Sequence, residues 1–113
     1  MTVINNWFVY MILTSDRQVY TGITTNMMKR WQAHASGKTG ARYFRGRTPE
    51  QLCYLEANHT RSSASQREAA IKALTAKAKR LLIEQSQAQT LELIEQHSLQ
   101  GLNALPPTGL PQC

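Results

Sequence analysis

Trp7-Phe8-Val9-Tyr10-Met11-Ile12-Leu13-Thr14 is followed, after the polar residues Ser15-Asp16-Arg17-Gln18, by Val19-Tyr20-Thr21-Gly22-Ile23. The first run is apolar at odd and even positions alike, as a central strand covered on each face must be. The polar quartet is turn-like and the second run resumes the strand pattern. The pair therefore predicts an antiparallel hairpin, with Tyr10 and Tyr20 close together across it.

The chain on either side completes the outline. Thr24 or Thr25 can cap a helix over residues 26 to 36, closed by Gly37. On a helical wheel Met27, Trp31 and Ala35 form its expected buried stripe, and Arg30 and His34 are an i, i+4 pair on the adjoining edge, directed into a cleft beside the sheet. Residues 37 to 50 hold Gly37, Gly40, Gly46 and Pro49, with Lys38, Arg42, Arg45 and Arg47 interleaved with Tyr43 and Phe44, a basic, aromatic-bearing loop. Residues 51 to 57 read as a third strand. A second helix follows the Ser/Thr cluster of residues 60 to 65, with Arg67, Ala70, Ile71 and Leu74 on its packing stripe, and Thr75 caps a third that ends near Glu84. There is no internal repeat.

At 113 residues, 42% of them hydrophobic, the chain can bury one modest core and is too short for two ordinary domains. The expected division is a domain over residues 4–84 and a remainder, 85–113. That remainder is Gln-rich, with a short amphipathic stretch at Leu91 to Leu99 and a Pro- and Gly-containing end expected to be partly disordered. The fold class is α+β. All 13 Lys and Arg lie before residue 81, opposed there only by Asp16, Glu50, Glu56 and Glu68; the rest carries Glu84, Glu92 and Glu95 and no Lys or Arg. A basic body of this kind favours a polyanionic partner, nucleic acid first, because neutralising phosphates releases counterions.

Two cysteines, Cys53 and Cys113, build neither a disulfide framework nor a Cys/His metal cluster. No stretch approaches the length of a membrane span, and the first residues lack a signal-peptide pattern, so a cytoplasmic location is expected.

Phenol, guanidinium, imidazole and a lone helical carboxylate suit phosphodiester hydrolysis, which needs a base for water, positive charge on the developing phosphorane and help for the departing oxyanion. Tyr10 or Tyr20 can serve as base if neighbouring cations lower the phenol pKa, with Arg30, His34 and Lys38 as candidate cations. Arg30 also suits the non-bridging phosphate oxygens, and Glu68 supplies the oxygen donor that Mg²⁺ prefers. Taken singly, each residue has an ordinary alternative: strand tyrosines are usually core, and Glu68 with Lys72 makes a helical ion pair.

Val9-Tyr10, Tyr20-Thr21-Gly22, Arg30, His34 and Glu68, read as an ordered set from about Trp7 to Leu82, resemble the GIY-YIG nuclease superfamily, most closely its small stand-alone bacterial members of the YhbQ type. The resemblance implies a three-stranded antiparallel sheet flanked by helices. It also implies Tyr10 and Tyr20 at the attacking water, Arg30 on the scissile phosphate, His34 as a polarising or proton-relaying group, and Glu68 on one divalent ion, Mg²⁺ or Mn²⁺. Lys38, Arg42, Arg45, Arg47 and Lys72 are the expected nucleic-acid contacts, and the substrate is expected to be DNA recognised by structure more than by sequence. Phe8 and Thr21 depart from the family's two signatures, and Ile83 stands where many larger relatives carry an asparagine. The alternatives are a nucleic-acid-binding module of the same fold without turnover, and an interaction protein that docks through residues 91 to 99.

Overall fold

A computed structural model describes residues 5–36 and 47–102. Strands β1 (Trp7–Thr14), β2 (Val19–Thr24) and β3 (Pro49–His59) form one antiparallel sheet in the order β2-β1-β3. Helix α1 (Met27–Ser36) joins β2 to the segment before β3, and α2 (Arg61–Lys72), α3 (Ala76–Gln85), α4 (Gln87–Gln96) and a 3₁₀ turn at Gln100–Leu102 follow. This is the α+β architecture expected from the hairpin pattern. The third strand is longer than residues 51 to 57, because Pro49 can open a strand at a sheet edge and the chain continues through Asn58, whose left-handed backbone (φ 64°) asparagine tolerates, to pair His59 with Trp7.

The doubly apolar β1 is explained by its central place. Its odd residues Val9, Met11 and Leu13 pack with Ala64 and Ile71 of α2 and Ile83 of α3. Its even residues Tyr10 and Ile12 pack with Met27 of α1, Ile94 of α4, and Leu99 and Leu102 beyond it. Ile83 is therefore a core residue of the odd face. The amphipathic stretch at 91 to 99 spends Ile94 and Leu99 on the chain's own core, leaving Leu91 exposed.

Two expected stripes are rotated. On α1, Ala35 is exposed and His34 is fully buried, so the inward face is Met27, Arg30, Trp31 and His34. On α2, Ala64 and Ile71 are buried while Ala70 is exposed and Arg67 is held at the margin, and Leu74, past the end of the helix, is exposed. Thr60 caps α2 by accepting from the Ser63 amide, and the Ser63 hydroxyl accepts from the Thr60 amide in return. No helix among the described residues is long and apolar enough to cross a membrane. Lys38, Arg42 and Arg45, and the Pro-containing end of the chain, lie outside the described residues.

Helix α4 also meets a backbone need of β3. The buried Thr90 hydroxyl accepts from the Leu55 amide at 3.3 Å, on a strand whose pairing with β1 is broken by register shifts. Thr90→Val keeps the shape and orphans that amide. It should cost about 1 to 3 kcal/mol in chemical denaturation, whereas Leu91→Ala on the exposed side of α4 should cost well under 1 kcal/mol, roughly the surface range.

Candidate active site

Hairpin register creates the site. Tyr10 pairs with Gly22 and Ile12 with Tyr20, so both tyrosines project from the even face, one strand and one pleat apart. The absent side chain at Gly22 is where the Tyr10 phenol lies: a Cβ there would stand 2.5 Å from the Tyr10 hydroxyl and 3.0 Å from the Tyr20 ring. The ring centroids of Tyr10 and Tyr20 are 6.1 Å apart, and each ring also meets His34, at 6.0 Å and 5.3 Å. Helix α1 runs back over this pair and delivers Arg30 and His34 one turn apart, which explains why His34 and not Ala35 is buried.

Tyr10 Oη and His34 Nε2 are 2.9 Å apart in a fully buried hydrogen bond. Burial, then the charge of Tyr20, push the Tyr10 phenol well above its ordinary range, and Arg30 offsets them only in part. Burial, with Arg30 second, lowers His34 to about 4. At neutral pH the pair is thus a protonated phenol and a neutral imidazole. Arginine can only donate, so Arg30 donates to the Tyr10 oxygen; that oxygen has a second lone pair, and the imidazole tautomer decides whether the phenol donates to Nε2 or Nε2–H donates to the phenol. Arg30 itself is partly exposed. Burial opposes its charge, but the oxygens of Tyr10 and then Tyr20 outweigh that, and its pKa is raised. The result is a permanent cation at the rim of a neutral, hydrogen-bonded pair, with Tyr20 beside it and also partly exposed.

The structure brings together Tyr10, Tyr20, Arg30 and His34, and sets Glu68 on a different element, α2. Glu68 lies on α2, which covers the odd face, and its carboxylate meets Lys72 Nζ at 3.3 Å. Helix α2 packs against the edge strand β2 and against β1. Lys72 is the partner of Glu68, and Arg47 binds Asp16 at 2.8 Å at the β1–β2 turn. Among the described residues Glu68 belongs to no group of three or more metal-ligating side chains. A lone, partly exposed carboxylate fits a Mg²⁺ ion that keeps most of its waters and takes substrate phosphate as well.

Sequence reading misses a polar network on the odd face. Glu56 accepts from Arg67 Nε at 2.8 Å and from the Tyr54 hydroxyl, and its other oxygen meets His59 Nε2 at 2.7 Å. Burial works to raise the Glu56 pKa, but the hydrogen bonds from Tyr54, His59 and Arg67 outweigh it and hold the carboxyl below its usual range. The network ties β3 to α2 at the residue next to Glu68. The i, i+2 spacing of Tyr54 and Glu56 on a strand is the signal that points to it.

Hairpin, phenol pair, helical Arg and His, and carboxylate on the second helix occur in one order within residues 10 to 68, and the GIY-YIG catalytic domain profile matches residues 6–81. The chain belongs to the GIY-YIG family, a family of nuclease type whose substrates are nucleic acids. Within it the similar proteins are small ones. The UPF0213 protein DP2720 of Desulfotalea psychrophila is 48% identical over 81 residues, covering 72% of this chain and 74% of that protein. The UPF0213 protein YhbQ of Escherichia coli O139:H28 is 41% identical over 80 residues, 71% of this chain and 79% of that one. The solution NMR structure of the UPF0213 protein BH0048 from Bacillus halodurans is 38% identical with a TM-score of 0.45, covering 68% of this chain and 81% of its own.

Two outcomes test this geometry. Gly22→Ala should displace the Tyr10 ring and destabilise the fold by about 1 to 3 kcal/mol, seen in denaturant midpoints. His34 should also make stability pH-dependent: its folded pKa of about 4 lies below its ordinary 6.5, so the unfolded chain binds the proton first. Stability is therefore unaffected by His34 above that window and lost as pH falls through it. His34→Gln should show a shallower loss than wild type between those two values.

Proposed function

We propose that the protein is a metal-dependent endonuclease that hydrolyses phosphodiester bonds in DNA, selecting substrate structure more than sequence, in repair, recombination or turnover. The observation that carries this reading is the convergence of a permanent guanidinium, two phenols and a neutral imidazole on one face of the sheet, with a carboxylate on the helix that packs against the edge strand β2.

The roles follow from the chemistry of the side chains. Arg30 binds the non-bridging oxygens of the scissile phosphate, as a fork donor that stays charged. Tyr10 is a poor base, because burial holds the proton on its phenol. Tyr20, at the open rim, is the phenol that orients or deprotonates the attacking water. His34, neutral and bonded through Nε2, keeps the Tyr10 oxygen turned toward Arg30. Glu68 holds the divalent ion, which supplies charge stabilisation for the leaving oxygen when bound.

Tyr20→Phe, Arg30→Ala and Glu68→Ala should each lower cleavage of single-stranded, duplex, nicked or branched DNA in Mg²⁺ or Mn²⁺ by roughly 100-fold or more, at unchanged circular dichroism. Ordinary turnover in any of the three would remove that residue's role. Salt-sensitive binding without product in any metal would instead favour a binding module.

A further inference from the structure

A cleft of about 270 Å³ opens on the far flank of Arg30, lined by Thr24, Thr25 and Asn26 of the β2–α1 connection and by Lys29, Arg30 and Ala33 of α1. Three features give it a chemical character. No acidic residue lines it or stands in the first turn of α1, so the positive end of the helix is not offset. Lys29 and Arg30 are consecutive, and Ala33 lies one turn on from both, so the small side chain leaves the space that the two cations border. Arg30 is shared: it faces the phenol pair on one side and the cleft on the other.

The cations expected to contact nucleic acid behave differently. Arg47 is engaged with Asp16 and Lys72 with Glu68. Lys29 is exposed beside the cleft. The polar groups of the connection are already ordered: Asn26 Oδ1 accepts from the Lys29 amide at 3.0 Å, and Thr24 Oγ1 accepts from the Asn26 amide at 3.1 Å. A ligand entering the cleft therefore meets a preformed rim, with little ordering left to do.

We infer that this cleft is a phosphate subsite: it takes a backbone phosphate of the bound nucleic-acid strand next to the one held at the tyrosines, with Lys29 and Arg30 as its cations. The inference deepens the nuclease reading by naming where the strand continues beyond the reacting bond. A strand so placed runs along the start of α1, on the flank of Arg30 away from the phenols, and Arg30 grips two successive phosphates from its two sides. Lys29 is a binding residue here and takes no part in the chemistry.

The test uses the full chain and a fluorescein-labelled 20-mer, as single strand and as duplex, with binding read by anisotropy across a salt series. Lys29→Ala should weaken binding by roughly tenfold and lower the slope of log affinity against log salt by about one. Lys29→Glu should weaken it further, and Lys77→Glu, on exposed α3, should change it much less. Ala33→Leu leaves charge untouched and fills the cleft, so it separates a phosphate seated in the cavity from attraction by a basic surface; it should weaken binding as well. Wild-type binding in Ala33→Leu and Lys29→Ala, or no wild-type binding to either oligonucleotide, would overturn the subsite. Cleavage separates the two readings: Lys29→Ala should raise KM and leave kcat near wild type. Loss of binding in the cleft variants without any wild-type cleavage would sink the nuclease and keep the subsite. Normal cleavage with unaltered KM and binding in those variants would do the reverse.

Discussion

The hydrogen bond between Tyr10 and His34 is the contact on which the rest of the site depends, and it exists because position 22 has no side chain. Antiparallel register sets Gly22 beside Tyr10, the phenol lies over the vacant place, and the imidazole of α1 closes on it. With His34 fixed inward, the rotation of α1 is set. Arg30, one turn earlier, must then stand over the phenols, and Lys29 and Ala33 must flank the cleft. A single backbone pairing thus decides the direction of a helix and the positions of its cations.

Burial has an electrostatic consequence. It keeps Tyr10 protonated and His34 neutral, so the interior half of the site carries hydrogen bonds without net charge. The positive charge is left at the rim, on Arg30, where a phosphate can reach it without itself being deeply desolvated. Glu68 on α2 is engaged by Lys72 in the free protein. The brace from Glu56 to Arg67 fixes α2 against β3 and so holds the neighbouring carboxylate on that side.

The hairpin, the central strand and the helix after it were legible because β1 is apolar at every position and period-two and helical patterns are local. The proximity of Tyr10 and Tyr20 followed from the same pattern. The stripe on α1 was misplaced by one residue because His34 is polar by composition, and only the space above Gly22 makes its burial favourable. Leu74 falls off the packing stripe because α2 ends at Lys72, and Arg67 is drawn to Glu56, a partner eleven positions away on another element. The Lys72–Glu68 pair is legible as a helical i, i+4 spacing, whereas the pairing of Arg47 with Asp16 joins distant parts of the chain, and a basic composition does not distinguish such a paired cation from an available one. The burial of α4 escaped the reading for a similar reason: its apolar residues gain a partner only once β3 presents Leu52 and Leu55.

The most direct test of this arrangement is a long-range proton–nitrogen NMR correlation of the imidazole groups, followed from pH 7.5 to pH 3.5 on protein labelled with ¹⁵N-histidine. The expected result is a neutral His34 whose ring-nitrogen shifts stay unchanged until the pH approaches about 4. An imidazolium at pH 6 would contradict a neutral imidazole buried against the Tyr10 phenol, and with it the uncharged interior of the site.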